Sequence, residues 1–307
     1  MTEEALRLKI RKLSEAVWEN RASGPAVEEW LAVFTQQSDN PELDRLCLLS
    51  LLSNFIYFGI REVRELLAAL YHDLYRRPLL THIRRSLDDP LNLDEVDQLY
   101  LARLDQTRFL GVGNPSESGP HLLYYLRQET GLPSSLFINH FELPGFSDAI
   151  ENVDRFVFID DLCGTGVQAC TYSKQVVERV KAVNPDAEIN YFALIATSRG
   201  LRHVRETARY SSVECVMEMG DDFRCFAPNA RFWTGNDADE RRLRAKELCL
   251  QFGRLIHSKH PLGFQDAELA IGFNHNTPDD TLPVFWVDAN PILPSLRPVF
   301  RRYDKAA

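Results

Sequence analysis

One stretch of the chain, residues 155–169 (RFVFIDDLCGTGVQA), combines an apolar strand, two acids, a glycine-rich turn and a helix start. The four consecutive apolar residues from Phe156 to Ile159 are typical of a strand that is covered on both faces. Gly164 and Gly166 permit a tight turn that brings backbone N–H groups close to a ligand. A helix that opens after such a turn presents unpaired N–H groups and a positive dipole end, so the stretch predicts a phosphate site.

Two adjacent carboxylates stand directly before the turn. Asp160 and Asp161 fall at the carboxyl end of the predicted strand, the edge at which open parallel sheets bind ligands. Carboxylates at this position accept hydrogen bonds from a sugar diol, or they hold a Mg²⁺ that bridges sugar and phosphate. The pair therefore predicts a ribose or magnesium site beside the phosphate loop.

This stretch resembles the phosphoribosyl-pyrophosphate motif of the type I phosphoribosyltransferases, which is an apolar strand, two acids and a short Thr/Gly loop. The resemblance implies that Asp160 and Asp161 are the catalytic acids, that they hold the ribose hydroxyls and that Mg²⁺ is the cofactor. It also implies that the 5′-phosphate binds to the loop formed by Cys163, Gly164, Thr165, Gly166, Val167 and Gln168, with the Thr165 hydroxyl as a donor. The expected reaction is glycosyl transfer at C1′ of phosphoribosyl pyrophosphate or of a nucleotide.

Two other protein classes share the glycine spacing. Gly164-x-Gly166-x-x-Ala169 also matches the dinucleotide-binding fingerprint, and it looks like the first motif of methyltransferases that use S-adenosylmethionine. Both classes predict an acid at the end of the next strand, to hold ribose hydroxyls. Here that strand runs into residues 197–199 (TSR), which contain no acid, although an Arg at this point would suit a 2′-phosphate.

The hydrophobic pattern changes near residue 107. Residues 1–106 predict an all-helical module, in which a helix over 61–75 is ended by Pro78. Residues 107–307 predict a phosphoribosyltransferase-like domain with a C-terminal extension from about residue 226. Predicted strands at 108–113, 134–141, 189–196 and 213–217 alternate with helices in this part. The fold class is therefore α/β, with a mainly parallel sheet of phosphoribosyltransferase type behind an N-terminal all-helical module.

Three groups outside the central motif are further ligand candidates. Asn114, Ser116 and Ser118 lie in the loop between the first predicted strand and its helix, where phosphoribosyltransferases bind pyrophosphate. Residues 114–119 contain no Lys or Arg to neutralise a pyrophosphate. A nucleotide, with its base as the leaving group, is therefore an alternative donor to phosphoribosyl pyrophosphate.

The other two groups follow later strands. Arg199 stands after the strand at 189–196 as a contact for an anion or a base, and a surface ion pair is the simpler interpretation of that side chain. His275 and Asn276 are polar candidates within a turn-rich segment, and an Asx turn built by its own side chains is their alternative role.

The composition favours some partners over others. The 35 basic residues are outnumbered by 44 acids, which gives a net charge of −9, so direct binding to nucleic acid is not indicated. No apolar run approaches the roughly 20 residues that span a bilayer, and no membrane contact is expected. The six cysteines contain no C-x-x-C pair, which favours reduced thiols, no structural zinc and a cytoplasmic location.

A narrower resemblance rests on the central motif together with residues 275–286 (HNTPDDTLPVFW). Over residues 107–307 the chain resembles the phosphoribosyltransferase-like domains of bacterial conflict and anti-phage operons. This resemblance implies an antiviral effector that acts on nucleotides, or a module that senses them. In the second case the domain binds a nucleotide without chemistry and signals to a partner protein through residues 1–106.

Overall fold

The structure is a computed structural model, and it describes residues 2–36, 38–89, 91–113, 118–138, 153–288 and 291–303. The chain forms two compact units, one made of Met1–Glu62 with Met219–Asp304 and the other of Val63–Glu218. The sequence predicts a different division, into a helical module over 1–106 and an α/β domain over 107–307. That division remains a prediction.

The first unit contains four long helices and a two-stranded sheet. Its elements are α1 Glu3–Ala16, α2 Gly24–Thr35, α3 Pro41–Leu52, β1 Ile56–Phe58, α11 Ala238–Ile256 and β6 Ile271–Phe273. Strands β1 and β6 pair in parallel although more than 200 residues of sequence separate them. The core of this unit is aromatic, and in it Trp30 stacks on Phe285 with ring centroids 5.7 Å apart.

The second unit contains the main sheet. A long helical segment leads into it as α4 Ile60–Ala69, a π-helical stretch Leu70–Arg76 and α5 Arg77–Ser86, and it is followed by α6 Leu93–Asp105. The remaining elements are β2 Thr107–Gly111, α7 Ser118–Thr130, β3 Arg155–Cys163, α8 Val167–Tyr172, the π-helical Ser173–Val177, α9 Glu178–Val183, β4 Glu188–Thr197, α10 Ser198–Thr207 and β5 Ser212–Met219.

The four strands of this sheet stand in the order β2-β3-β4-β5, and the pairs β2–β3 and β3–β4 are parallel. This confirms the predicted α/β fold with a mainly parallel sheet. Strand β4 is buried along nearly its whole length, as its continuous apolar sequence requires. Its alternate residues Ile189, Tyr191 and Ala193 belong to the core that includes the helical segment 167–183.

Three local predictions were wrong. Pro78 does not end a helix, because it lies in the first turn of α5, where a proline needs no N–H partner. Of the strand predicted at 134–141, residues 134–136 form a 3₁₀ turn, whereas Phe137 makes a single parallel bridge to Phe109 of β2, and the residues beyond 138 lie outside the described residues. The leucine-rich sequence after Pro41 predicts a helix that runs to about Tyr57, but α3 ends at Leu52 and β1 follows it, because a three-residue strand with a distant partner leaves no periodic signal.

None of the described helices is both long enough and apolar enough to cross a membrane.

Candidate functional site

The two acids of the central motif lie on β3 in different surroundings. Asp160 is buried, with 5% of its surface exposed, whereas Asp161 is half-buried. The strand continues beyond both acids to Cys163, which pairs with Ala196 of β4. The Asp161 amide donates to Oδ1 of Asp160 at 3.0 Å, and Oδ1 of Asp161 accepts from the Leu162 amide at 2.8 Å. The backbone therefore holds both carboxylates close to the strand.

A tyrosine of the neighbouring strand fixes the buried acid. The hydroxyl of Tyr191 on β4 donates to Oδ2 of Asp160 at 2.7 Å, and the Tyr191 side chain is fully buried. Burial raises the pKa of Tyr191 well above its ordinary value, and the nearby Asp160 charge raises it further. Tyr191 thus remains a protonated donor, which satisfies one oxygen of a carboxylate that has little contact with water.

Two more tyrosines surround the same carboxylate. Burial raises the pKa values of Tyr172 and Tyr210, and the Asp160 charge is the second cause for both hydroxyls. The rings of Tyr191 and Tyr210 lie 5.2 Å apart, and the ring of Tyr172 meets Phe158 edge-on at 5.5 Å. Asp160 therefore lies beside an aromatic cluster in which the Tyr191 phenol donates to it, whereas the hydroxyls of Tyr172 and Tyr210 donate to backbone carbonyls.

The glycine turn after β3 is closely packed. Gly166 has a φ of +77°, in the left-handed region that favours glycine, and it precedes the first residue of α8. A Cβ on Gly166 would stand 2.8 Å from the carbonyl oxygen of Gly200, and a Cβ on Gly200 would stand 2.4 Å from that of Gly164. The turn and the start of α10 therefore approach each other backbone to backbone.

The predicted phosphate-loop residues have graded exposure. Cys163, Gly164, Thr165 and Gly166 are buried, Val167 is half-buried and Gln168 is exposed. Within the described part of the chain, no side chain caps the start of α8. The N–H groups of a first helical turn have no partners inside the helix, so this turn can donate to an anion.

The end of β2 is connected to the helix that follows the glycine turn. The Tyr172 hydroxyl donates to the carbonyl oxygen of Gly111 at 3.3 Å. Gly111 lies at the end of β2 and Gly119 near the start of α7, and a Cβ on Gly111 would stand 2.6 Å from backbone atoms of Gly119. The two ends of the loop between β2 and α7 therefore lie against each other. This loop is the predicted pyrophosphate loop.

Little of that loop can be described in detail. Asn114 and Ser116 lie outside the described residues, and Ser118 is the first residue of α7. The roles predicted for these three residues remain predictions.

Arg199 lies at the same end of the sheet as the two acids. It is the exposed second residue of α10, which starts directly after β4. The N-cap of this helix is Thr197, whose hydroxyl accepts from the Gly200 amide at 2.9 Å and donates to the Gly164 carbonyl at 2.5 Å. Thr197 therefore connects the helix that carries Arg199 to the glycine turn.

His275 and Asn276 belong to the other compact unit, directly after β6. The ring of His275 stacks on Phe273 with centroids 5.3 Å apart. Oδ1 of Asn276 accepts from the amides of Thr277 and Tyr303, each at 2.9 Å. These contacts give Asn276 a structural role in a turn. The ligand role predicted for His275 and Asn276 remains a prediction.

The donor set at the end of β3 fits a magnesium ion that is shared with a substrate. The described residues contain no group of three or more His, Cys, Asp or Glu side chains placed to hold a metal ion by themselves. Mg²⁺ commonly binds through one or two carboxylates, with substrate phosphates and water as its other ligands. Asp160 and Asp161 are the residues that would hold it.

A family model described as PRTase-CE matches residues 27–302. The chain belongs to the PRTase-CE family. The predicted phosphoribosyltransferase-like domain is thereby confirmed. The match covers residues 27–106 as well as residues 107–302, which contain the central motif. The chain matches no curated protein and no solved structure.

Several residues around the candidate site were not identified from the sequence. Tyr191 lies within the strand predicted at 189–196 and was given no role of its own, although a buried phenol requires a hydrogen-bond partner. Thr197 precedes a helix and has the residue type of an N-cap, which predicts its bond to Gly200. Nothing in the sequence indicates the close approach of Gly200 to Gly164, because that contact depends on the packing of two separate segments.

Proposed function

We propose that this PRTase-CE protein binds a phosphorylated ribose at the carboxyl edge of its main sheet, together with Mg²⁺, and transfers the ribosyl group at C1′. The observation that carries the proposal is that Asp160 and Asp161 lie near the end of β3, with two residues between them and a glycine turn whose left-handed Gly166 opens a helix. The donor is phosphoribosyl pyrophosphate or a nucleotide, and the biological role is that of an anti-phage effector.

The glycine turn supports the phosphate half of this proposal. The backbone of residues 164–166 is held against α10 by the Thr197 hydrogen bond and by the contact with Gly200. Pre-positioned amides bind an anion without an entropic penalty for ordering the loop, and the positive end of the helix dipole adds to the attraction. The 5′-phosphate would lie on these amides, with the Thr165 hydroxyl close by.

The two carboxylates support the ribose half. Asp161 is the more exposed acid and would accept hydrogen bonds from the ribose hydroxyls. Asp160, fixed by Tyr191, would add negative charge beneath the sugar without moving. A bound Mg²⁺ would supply positive charge for the phosphate oxygens of the donor.

Catalysis in this arrangement comes from positioning and charge. Departure of the group at C1′ gives the ribose oxocarbenium character, and nearby carboxylates stabilise that positive charge as it develops. No protein nucleophile is required. Arg199, at the same end of the sheet, would contact the leaving or the accepting group.

Incubation of the full chain with phosphoribosyl pyrophosphate, ATP and NAD in Mg²⁺, followed by mass spectrometry of the small molecules, tests the proposal. We expect ribosyl transfer or release of a base from at least one donor. Asp161→Asn should lower the rate by at least about 100-fold, since groups that stabilise developing charge commonly contribute that much. Asp186→Asn, at an exposed acid in a turn of the same unit, is the matched control and should leave the rate unchanged.

The same experiment separates the enzyme from a nucleotide sensor. Saturable binding of a nucleotide that is lost in Asp161→Asn, with no product from any donor, would contradict catalysis and favour a module that senses nucleotides and signals to a partner protein. Absence of both binding and turnover would contradict both functions.

A further inference from the structure

An exposed basic face lies on the helical layer that packs against the glycine turn. Its four side chains, all of them exposed, are those of Arg199, Arg202, Arg209 and Lys174. Arg199 and Arg202 are three residues apart on α10, so they lie on the same side of this helix. The other side of α10 carries the buried Leu201 and Val204. The basic face is therefore the solvent side of the layer.

The two helical segments that carry these residues are in contact. The Arg209 amide donates to Oγ of Ser173 at 3.1 Å, and Lys174 is the next residue after that serine. One residue beyond Arg209, the Tyr210 hydroxyl donates to the Ala169 carbonyl at 3.0 Å. Lys174 and Arg209 are therefore neighbours in space, and the basic face extends from α10 to the segment that follows the glycine turn.

The positive charge of this face is local. Residues 198–210 contain four arginines and one glutamate, Glu206, in a chain whose net charge is −9. The excess of acid, which argues against a broad contact with nucleic acid, therefore belongs to other parts of the chain. A ligand that touches this helix meets a surface of the opposite sign to the protein as a whole.

Three cations of the face have no acidic partner among the described residues. Arg205, the remaining arginine of α10, is committed to a backbone carbonyl of β5 at 2.8 Å and to Glu214 at 3.2 Å. By contrast, Arg202, Arg209 and Lys174 form no ion pair within the described part of the chain. Exposed cations without such partners create a positive potential that attracts an anionic ligand.

The basic face starts at the proposed ribose site. Arg199 is the second residue of α10, at the carboxyl edge of the sheet, and the next residue, Gly200, lies against the carbonyl of Gly164 in the glycine turn. From there α10 extends over ten residues, or roughly 15 Å at about 1.5 Å per residue. A ligand whose phosphate lies on the glycine turn can therefore continue along the basic face.

The chemistry of the proposed site selects one kind of extended ligand. The site requires a nucleotide with a 5′-phosphate and a free ribose diol. Within a nucleic acid, the 3′-terminal nucleotide of RNA carries both groups, whereas DNA lacks the 2′-hydroxyl. The 5′-phosphate of that nucleotide is a diester, so the rest of the strand leaves the site from the phosphate, on the side where α10 begins. Guanidinium groups suit such a backbone because their donors match the phosphate oxygens.

We propose that the basic face binds the backbone of a single-stranded RNA whose 3′-terminal nucleotide occupies the ribose site. This inference rests on the proposed function and names the substrate class of that site. The phosphate of the terminal nucleotide lies on the glycine turn, and the preceding phosphates follow Arg199, Arg202 and Arg209. The strand is single because a nucleotide stacked in a duplex does not reach such a pocket. Contacts to phosphate carry no sequence information, so binding does not depend on the bases.

Fluorescence anisotropy of the full chain with a ten-nucleotide oligouridylate, labelled at its 5′ end and titrated in Mg²⁺ at low salt, tests this site. We expect the RNA to bind at least about tenfold more tightly than UMP, which lacks the backbone contacts. The same strand with a 3′-phosphate should bind about tenfold more weakly, because its terminal diol is blocked. Equal affinities of the RNA and UMP, or of the two strands, would overturn the inference. Displacement by polyglutamate as effective as that by unlabelled RNA would also overturn it.

A double variant locates the strand. Arg202→Gln with Arg209→Gln should lower the slope of log affinity against log salt by about 1.4, since each phosphate contact to a single strand contributes about 0.7. Arg11→Gln with Lys12→Gln, at exposed residues of α1, removes the same charge and is the matched control. Its slope should equal that of the wild-type protein. Equal slopes in the two double variants would overturn the assignment to the basic face.

Failure of this inference and failure of the proposed function give different results. Binding of UMP or phosphoribosyl pyrophosphate that is lost in Asp161→Asn, without tighter binding of the RNA, would overturn the inference and leave the proposed function in place. Absence of binding of UMP, phosphoribosyl pyrophosphate and RNA alike would overturn both.

Discussion

At the scale of single residues, the candidate site depends on how one buried carboxyl group is kept in place. Asp160 is 5% exposed, and burial of such a polar group is tolerated only when its oxygens are hydrogen-bonded. The Tyr191 hydroxyl and the Asp161 amide supply two such bonds. We therefore assign Tyr191 a positioning role: it holds the carboxylate that, under the proposed function, lies beneath the ribose.

Tyr191→Phe tests this role. Removal of the hydroxyl leaves a buried carboxylate oxygen without its donor, which should lower the free energy of unfolding by about 1–3 kcal/mol. The ring remains, so packing is preserved. We also expect weaker binding of phosphoribosyl pyrophosphate, measured by titration, together with the lower denaturation midpoint.

Tyr210→Phe is the control for that experiment. Its hydroxyl donates to the Ala169 carbonyl at 3.0 Å, and its ring lies against that of Tyr191. It should reduce stability by about 1 kcal/mol without a specific effect on the ligand. Equal effects of the two variants on ligand binding would contradict a special role for Tyr191.

At the scale of elements, the site is a junction of β3, the glycine turn, α8 and α10. The turn was predicted from the sequence because glycines between an apolar run and a helical period are a local signal. Its packing against α10 was not predicted, because Gly200 belongs to a segment more than 30 residues away. The junction is closely packed: two backbone segments, the turn at 163–166 and the start of α10 at Gly200, approach so closely that no side chain fits between them.

Gly200→Ala tests the junction. The added methyl group would stand 2.4 Å from the Gly164 carbonyl oxygen and 2.6 Å from that of Cys163, so the turn has to move. Overpacking of this kind typically costs about 1–3 kcal/mol, and displaced amides should no longer bind phosphate. Thermal denaturation with and without phosphoribosyl pyrophosphate measures both effects.

Gly24→Ala controls for the added methyl group, since nothing lies within 4 Å of a Cβ at this helix start. We expect it to be neutral or slightly stabilising, because alanine favours a helix over glycine. A Gly200→Ala protein that kept wild-type stability and ligand-induced stabilisation would show that the close contact is unimportant.

At the scale of the whole molecule, the family match covers parts of both compact units, and it includes the helices between residues 27 and 106 but not α1. The sheet was predictable because apolar strands such as 156–159 and 189–196 leave strong local signals. The pairing of β1 with β6 and a cavity lined in part by β4 could not be predicted, because each depends on segments that are distant in sequence.

Both units also contain buried groups that resist ionisation, which predicts how stability depends on alkaline pH. Burial, with Asp44 nearby, raises the pKa of the Cys47 thiol from 9.0 to about 12, and burial raises that of Tyr75 from 10.0 to about 12. Above pH 9 the unfolded chain loses these protons while the folded chain keeps them. The free energy of unfolding should therefore fall as the pH rises from about 9 towards 12.

Urea denaturation at pH 7.5, 9.0 and 10.5 measures this slope. Cys47→Ala removes one titrating group, so its slope should be shallower by up to about 1.4 kcal/mol per pH unit, whatever its stability at neutral pH. A slope equal to that of the wild-type protein would contradict the burial of this thiol.

The central claim is that the two aspartates and the glycine turn hold one phosphorylated ribose. A crystal structure of the protein with phosphoribosyl pyrophosphate and Mg²⁺ tests it most directly. We predict the 5′-phosphate on the amides of residues 164–167 and the ribose hydroxyls on the carboxylate of Asp161. A donor bound elsewhere, with the Asp161 carboxylate turned away from its ribose, would contradict the account.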